Sequence, residues 1–140
     1  MGLEIWAISG IVANRILVVD DNAVIRRILR KIIEFNGWVA CGEAADGRAA
    51  IEKAKALCPD LIVLDLSMPV MNGLEAARVL HQIMPRVPMI LCSLHANDVL
   101  QREATAAGVK MVISKAENMQ TLIKKAKELL ETTLVSNPET

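Results

Sequence analysis

The chain has 140 residues, with Lys plus Arg and Asp plus Glu at 16 each, and 53% hydrophobic against 23% charged residues. That length suits a single domain with a sizeable core, the apolar share argues against disorder, and the neutral balance disfavours direct binding to nucleic acid. The aromatics are Trp6, Phe35 and Trp38, with no tyrosine, so neither a base-stacking platform nor an aromatic ligand cage can be assembled.

Residues 1–13 read as an N-terminal extension. Their apolar run is led by Glu4 rather than by a basic residue, is too short to span a bilayer, and carries Trp6 where myristoylation would want Ser or Thr. A strand-length apolar run at 15–19 follows and ends in Asp20-Asp21. Val24, Ile25, Ile28, Leu29 and Ile32 then make a helical stripe. Arg26, Arg27, Arg30 and Lys31 turn away from it as a solvated face, and Asn36-Gly37 supplies the stop. The second run, 38–41, is followed by Gly42-Glu43, which adds no evident chemistry. Ala50, Ile51, Ala54 and Leu57 mark a second helix closed by Pro59-Asp60. The third run, 61–64, ends in Asp65, and Leu74, Ala77, Leu80 and Met84 mark a helix closed by Pro85. Run 89–92 ends in Ser93 and precedes an alanine-rich helix at about 97–107. Run 111–113 ends in Ser114-Lys115, and Met119, Leu122, Ile123, Ala126, Leu129 and Leu130 mark the last helix. Residues 135–140 are a polar tail or the start of a linker, which leaves a domain over 14–134.

Strict strand–helix alternation predicts one parallel α/β sheet covered on both faces, and in such sheets ligands bind beyond the carboxyl ends of the strands. Asp20, Asp21, Asp65, Ser93 and Lys115 all fall there. Three gathered carboxylates repel one another unless a cation neutralises them, and an all-oxygen set with positions open to water and phosphate favours Mg²⁺. Lys115 adds a point charge for a phosphoryl oxygen and Ser93 a hydroxyl donor. Such a pocket suits phosphoryl transfer onto a carboxylate; Asp65, which stands alone, is the expected nucleophile, with the paired Asp20 and Asp21 as metal ligands. Singly, each residue also fits a plain structural role as helix cap, turn residue or surface charge; their conjunction favours the site. Cys41, Cys58 and Cys92 are odd in number and widely spaced, which predicts free thiols and a cytoplasmic setting.

The segment Arg15-Ile16-Leu17-Val18-Val19-Asp20-Asp21-Asn22, the segment Asp65-Leu66-Ser67-Met68-Pro69-Val70-Met71-Asn72-Gly73, Ser93 and Lys115 together resemble the receiver domain of bacterial two-component response regulators. The resemblance covers about 14–134. It implies a doubly wound, flavodoxin-like sheet in the order 2-1-3-4-5, with Asp65 accepting phosphate from a sensor histidine kinase or phosphotransfer protein. It further implies that Asp21, Asp65 and the Ser67 carbonyl bind Mg²⁺ directly and Asp20 through water, that Lys115 pairs with the phosphoryl group, that Ser93 swings in to bond it, and that Pro69 and Gly73 shape the adjoining loop. Ser67 and His95 are candidates for tuning dephosphorylation, and His81 reads as a surface residue. Three positions depart from the usual pattern: Val112 stands where an aromatic switch residue is common, Ala116 follows the lysine in place of a cis proline, and Ser93 replaces Thr. Ser114-Lys115-Ala116 is more like receivers of the nitrate-response type.

The expected output is a homodimer or partner surface on the fourth helix, fifth strand and fifth helix, including Ala104, Ala107 and Val109. The expected activity is self-phosphotransfer and self-dephosphorylation, without turnover of a separate substrate or association with a membrane. A small aspartyl-phosphate hydrolase is a rival, but Asp65-Leu66-Ser67 lacks the second acid of its Asp-x-Asp motif; a phosphate-independent pseudo-receiver would not need the intact acids and lysine.

Overall fold

Strands form where β-branched and leucine runs can be buried on both faces, and helices where apolar residues recur on one stripe. A computed structural model describes residues 13–115, 117 and 119–136. The elements run β1 (Arg15–Val19), α1 (Ala23–Phe35), β2 (Val39–Ala44), α2 (Gly47–Leu57), β3 (Leu61–Asp65), α3 (Gly73–Ile83), β4 (Met89–Ser93), α4 (Asp98–Ala106), β5 (Met111–Ser114) and α5 (Met119–Ser136). The strands pair in parallel in the order β2-β1-β3-β4-β5, as expected.

The period of two along each strand sorts the core into two layers. Leu17, Val19, Ile62, Leu64 and Leu91 pack with Ala50, Ala54, Ala76, Ala77, Leu80 and Ala104 of α2, α3 and α4. Ile16, Val18, Leu61, Val63, Ile90 and Ile113 pack with Leu29 and Ile33 of α1 and with Leu122, Ala126 and Leu130 of α5. Alanine at the contact positions of α2, α3 and α4 lets those helices approach the sheet closely. Four helix starts are capped by side chains that accept backbone N–H bonds, from Asn22, Asp46, Asn72 and Asn97. At Asn72 the cap is reciprocal, because Glu75 returns a carboxylate to the Asn72 amide at 2.9 Å.

Several expectations are revised. β2 continues to Ala44, because pairing with β1 persists to Val19↔Ala44 across a register shift between Ile16 and Leu17. α4 is one residue shorter at each end than read, with Asn97 and Ala107 as its caps. Ala104, Ala107 and Val109 are buried in the core and present nothing to a partner; they are the residues through which α4 and the turn after it seat on the sheet. Cys58 is exposed at the end of α2, in the left-handed region with φ 49°. Most of the 1–13 extension, the Lys115–Ala116 bond and the last four residues lie outside the described residues. Among the described residues no helix is long and apolar enough to cross a membrane.

Candidate functional site

β1 and β3 are adjacent in the sheet, so their carboxyl ends bring Asp20 and Asp65 side by side. Both are buried, at 3% and 4% exposure, while Asp21 is exposed, and a carboxylate oxygen from each of the three lies within 4.8 Å of the others. The Asp20 backbone is anchored by its N–H to the Ala44 carbonyl at 3.0 Å, and its Oδ1 accepts from the Asn22 amide at 2.9 Å. Asn22 in turn caps α1, so the cap and the acidic turn are one local structure.

Lys115, immediately after β5, reaches across the sheet end. Its Nζ is 2.8 Å from Asp65 Oδ1 and 3.4 Å from Asp20 Oδ2. Burial pushes the Asp65 carboxyl above its ordinary pKa, the Lys115 hydrogen bond opposes that, and the charges of Asp20 and Asp21 reinforce it. Burial works against the Lys115 cation, but its bond to Asp65 and the charge of Asp20 outweigh this and raise its pKa. Three carboxylates and one ammonium leave two negative charges on hard oxygen donors, and that donor set fits one small divalent cation. Asp20, Asp21 and Asp65 could hold it, and Ser67 lines the same groove as Asp21.

The loop carrying Ser67 and Pro69 is pinned at both ends. The Gly73 amide donates to Leu66 O at 2.9 Å, and a Cβ on Gly73 would overlap the carbonyl of Asp65. The Gly47 amide donates to Met71 O at 2.9 Å, and Gly47 leaves no room for a Cβ against that residue. Between them Met71 N–H reaches back to Pro69 O at 2.6 Å, which forces Val70 to φ 67°, a region costly for a β-branched residue.

Ser93 is buried at the end of β4. Its hydroxyl accepts from the His95 amide at 3.2 Å and donates to the His95 carbonyl at 3.3 Å, while Lys115 N–H binds Ser93 O at 2.7 Å. The structure therefore gathers Asp20, Asp21, Asp65 and Lys115 into one cluster, with Ser93 tied to Lys115 through the backbone. His95 touches Ser93 by its main chain and is exposed. Val112 is half-buried against the core, and His81 is exposed with its ring against Gly108. Cys92, paired opposite Asp65, has its thiol pushed up to about 12 by burial, so it offers no competing nucleophile at neutral pH.

Three contributors to the site carry little signal in the sequence. Glu43 forms ion pairs with Arg26, at 2.9 Å, and with Arg30, so the basic face of α1 is not simply solvated. Glu117 accepts from the Ser114 amide at 3.0 Å while its own amide donates to Ser114 O at 3.0 Å, closing the turn that contains Lys115. The third is Gly47. The only sequence signal for Glu43 was that it, too, follows a strand-length run.

Residues 16–127 match the family model described as the response regulator receiver domain. The chain is similar to the chemotaxis protein CheY of Thermotoga maritima, 41% identical over 102 residues that span 73% of this chain and 85% of that protein. It is also similar to CheY of Bacillus subtilis, at 38% over 103 residues, 74% of this chain and 86% of that one. Among solved structures, a CheY-like receiver domain protein from Methanospirillum hungatei superimposes with a TM-score of 0.84 at 27% identity, covering 90% of this chain and all of that one (100%). A LuxR-family two-component response regulator from an Aurantimonas species superimposes with a TM-score of 0.82 at 27% identity, over 86% of this chain and 87% of the other.

Proposed function

This chain belongs to the response regulator receiver domain family of two-component signalling, and from that premise we propose that Asp65 is its phosphoacceptor and that phosphorylation switches its protein contacts. The observation that carries the reading is the placement of Asp65: of the two buried carboxylates of the cluster it is the one that ends the central strand, and it holds the shorter bond to Lys115.

An Asp65 carboxylate oxygen bonds to phosphorus as the bond from phosphorus to the donor's histidine nitrogen breaks, which leaves an aspartyl phosphate. Hydrolysis of that acyl phosphate by water restores the carboxylate. Mg²⁺, when bound by Asp21, Asp65 and the Ser67 carbonyl, with Asp20 through water, supplies neutralisation of the charge gathered on the phosphoryl oxygens. Lys115, which bonds the Asp65 carboxylate, passes to the phosphoryl group once the acyl phosphate has formed. Ser93 must give up its bonds to His95 to reach the same group. Pro69 and Gly73 hold the loop at the distance the site needs, and Ser67 and His95 border the approach of water.

The domain is proposed to span 14–134, with a sensor histidine kinase or phosphotransfer protein as donor and a cytoplasmic setting. With no second acid in Asp65-Leu66-Ser67, turnover of a separate phosphate ester is not expected. The output face lies on α4, β5 and α5, where Gln101, Lys110 and Lys125 line a shallow groove. Val112 takes the position of an aromatic switch residue, so the signal leaves through backbone and loop shifts in the segments after Ser93 and before Lys115, or through weaker coupling.

Incubation with acetyl phosphate and Mg²⁺, followed by intact mass, tests the reading. One phosphoryl group is expected on the wild type and none on Asp65→Ala; a mass gain that survives the substitution refutes it.

A further inference from the structure

Arg26, one turn into α1, makes two bonds that meet at the acidic cluster. Its Nη1 donates to the backbone carbonyl of Asp20 at 2.6 Å, and its Nε donates to Glu43 Oε1 at 2.9 Å. Both side chains are largely buried, at 19% and 24% exposure. Glu43 is held independently: it lies in β2 beside Val18, the next residue Ala44 accepts the Asp20 amide, and its other oxygen pairs with Arg30. Asp20 is thus gripped at its N–H by β2, at its C=O by Arg26 and at Oδ1 by the Asn22 amide, which leaves Oδ2 facing Lys115.

Taking as given that the cluster binds Mg²⁺, we propose that Arg26, tethered by Glu43, is a positioning residue that fixes the Asp20-Asp21 turn for the cation. The planar guanidinium suits this because its nitrogens diverge in a rigid fork, so one group can bridge a carbonyl and a carboxylate; a lysine ammonium is a point charge on a flexible stem. The carbonyl it binds belongs to the peptide joining Asp20 to Asp21, so rotation of that peptide would move both carboxylates. Nearby charge alone predicts the opposite sign: a cation beside a Mg²⁺ site repels the metal, so its loss should tighten binding. Arg30 provides the internal comparison. It carries the same charge and pairs with the same Glu43, but it forms no bond to Asp20 among those described.

The test measures the Mg²⁺ dissociation constant by titration calorimetry for the full chain and for Arg26→Gln, Arg26→Lys and Arg30→Gln. In parallel, hydrogen exchange of the Asn22 amide is followed in metal-free protein. Arg26→Gln is expected to weaken Mg²⁺ binding about tenfold, the change associated with one charge-assisted hydrogen bond, and to speed Asn22 exchange. Arg26→Lys should fall between it and the wild type, which keeps the test available if Arg26→Gln folds poorly. Arg30→Gln should leave the constant within about twofold, or tighten it, and leave Asn22 unchanged. Equal or tighter Mg²⁺ binding by both Arg26 variants, or an equal loss in Arg30→Gln, overturns the proposal. A wild type that binds no Mg²⁺ refutes the functional reading instead, and the Asn22 exchange rates then still decide whether Arg26 orders the turn.

Discussion

Lys115 Nζ lies 2.8 Å from Oδ1 of Asp65, so the end of β5 supplies a cation directly to the carboxylate that ends β3. Lys115 therefore serves two purposes that substitution can separate: it offsets carboxylate repulsion, and it is placed to meet a phosphoryl oxygen. Lys115→Ala should slow labelling by acetyl phosphate roughly 100- to 1000-fold, the scale of losing one preorganised charge partner. Its Mg²⁺ affinity should be equal to or higher than that of the wild type, because a competing cation is gone. Labelling rates and Mg²⁺ titrations on the same preparation check both halves.

Asp65 sets a pH dependence whose sign follows from its surroundings. Burial, reinforced by Asp20, lifts its folded pKa above the ordinary 3.8 despite Lys115. A carboxyl with a raised folded pKa holds its proton more tightly in the folded state, so its contribution to stability declines as pH rises from 3.8 through the folded value. In metal-free protein, Asp65→Asn should be more stable than the wild type at neutral pH. The advantage should shrink as pH falls through the folded value toward 3.8, and be lost below 3.8, where the wild-type residue is neutral in both states. Denaturant midpoints for the pair across pH measure this, and a constant difference would contradict the burial argument.

Mg²⁺ should stabilise the folded chain by mass action, about 2.7 kcal/mol at a concentration one hundred times its dissociation constant. Asp21 is the exposed ligand candidate, so Asp21→Ala should fold with a stability within about 0.5 kcal/mol of the wild type in chelator and lose most of the Mg²⁺-induced rise in melting temperature. Thermal melts with and without Mg²⁺ report both quantities.

Gly73 has no room for a side chain, because a Cβ would overlap the carbonyl of Asp65. Gly73→Ala should cost about 1–3 kcal/mol through overpacking, and should also slow labelling, since relief requires the phosphoacceptor strand or the loop to shift. Urea unfolding and acetyl phosphate labelling follow the two effects.

The architecture was legible in the sequence because each local signal agreed with the global fold. Runs such as 61–64 are apolar without alternation and so must be covered on both faces, and Asn36-Gly37, Pro59-Asp60 and Pro85 close the helical stripes between them. The candidate site was legible because its residues follow strands whose carboxyl ends must converge. Glu43 also follows a strand-length run, but its meaning depends on the partners Arg26 and Arg30, which lie 17 and 13 positions earlier on the polar side of the helical stripe. Ala104, Ala107 and Val109 fall within the segments of the expected output face, but the packing of α4 and of the turn after it against the sheet puts them inside, which position along the chain does not reveal.

By itself, then, the sequence determined the alternation of elements, the parallel sheet and the identity of the acids, hydroxyl and lysine at its edge, because those follow from hydrophobic period and order along the chain. Tertiary structure alone decided that Lys115 lies between the buried Asp20 and Asp65 and nearer to Asp65, that Gly47 and Gly73 clamp the loop beside them, and that Arg26 and Glu43 grip the Asp20 turn. Lys115 and Asp65, Gly47 and Met71, and Arg26 and Glu43 are far apart in sequence, and only the closing of the sheet brings them within reach of a hydrogen bond.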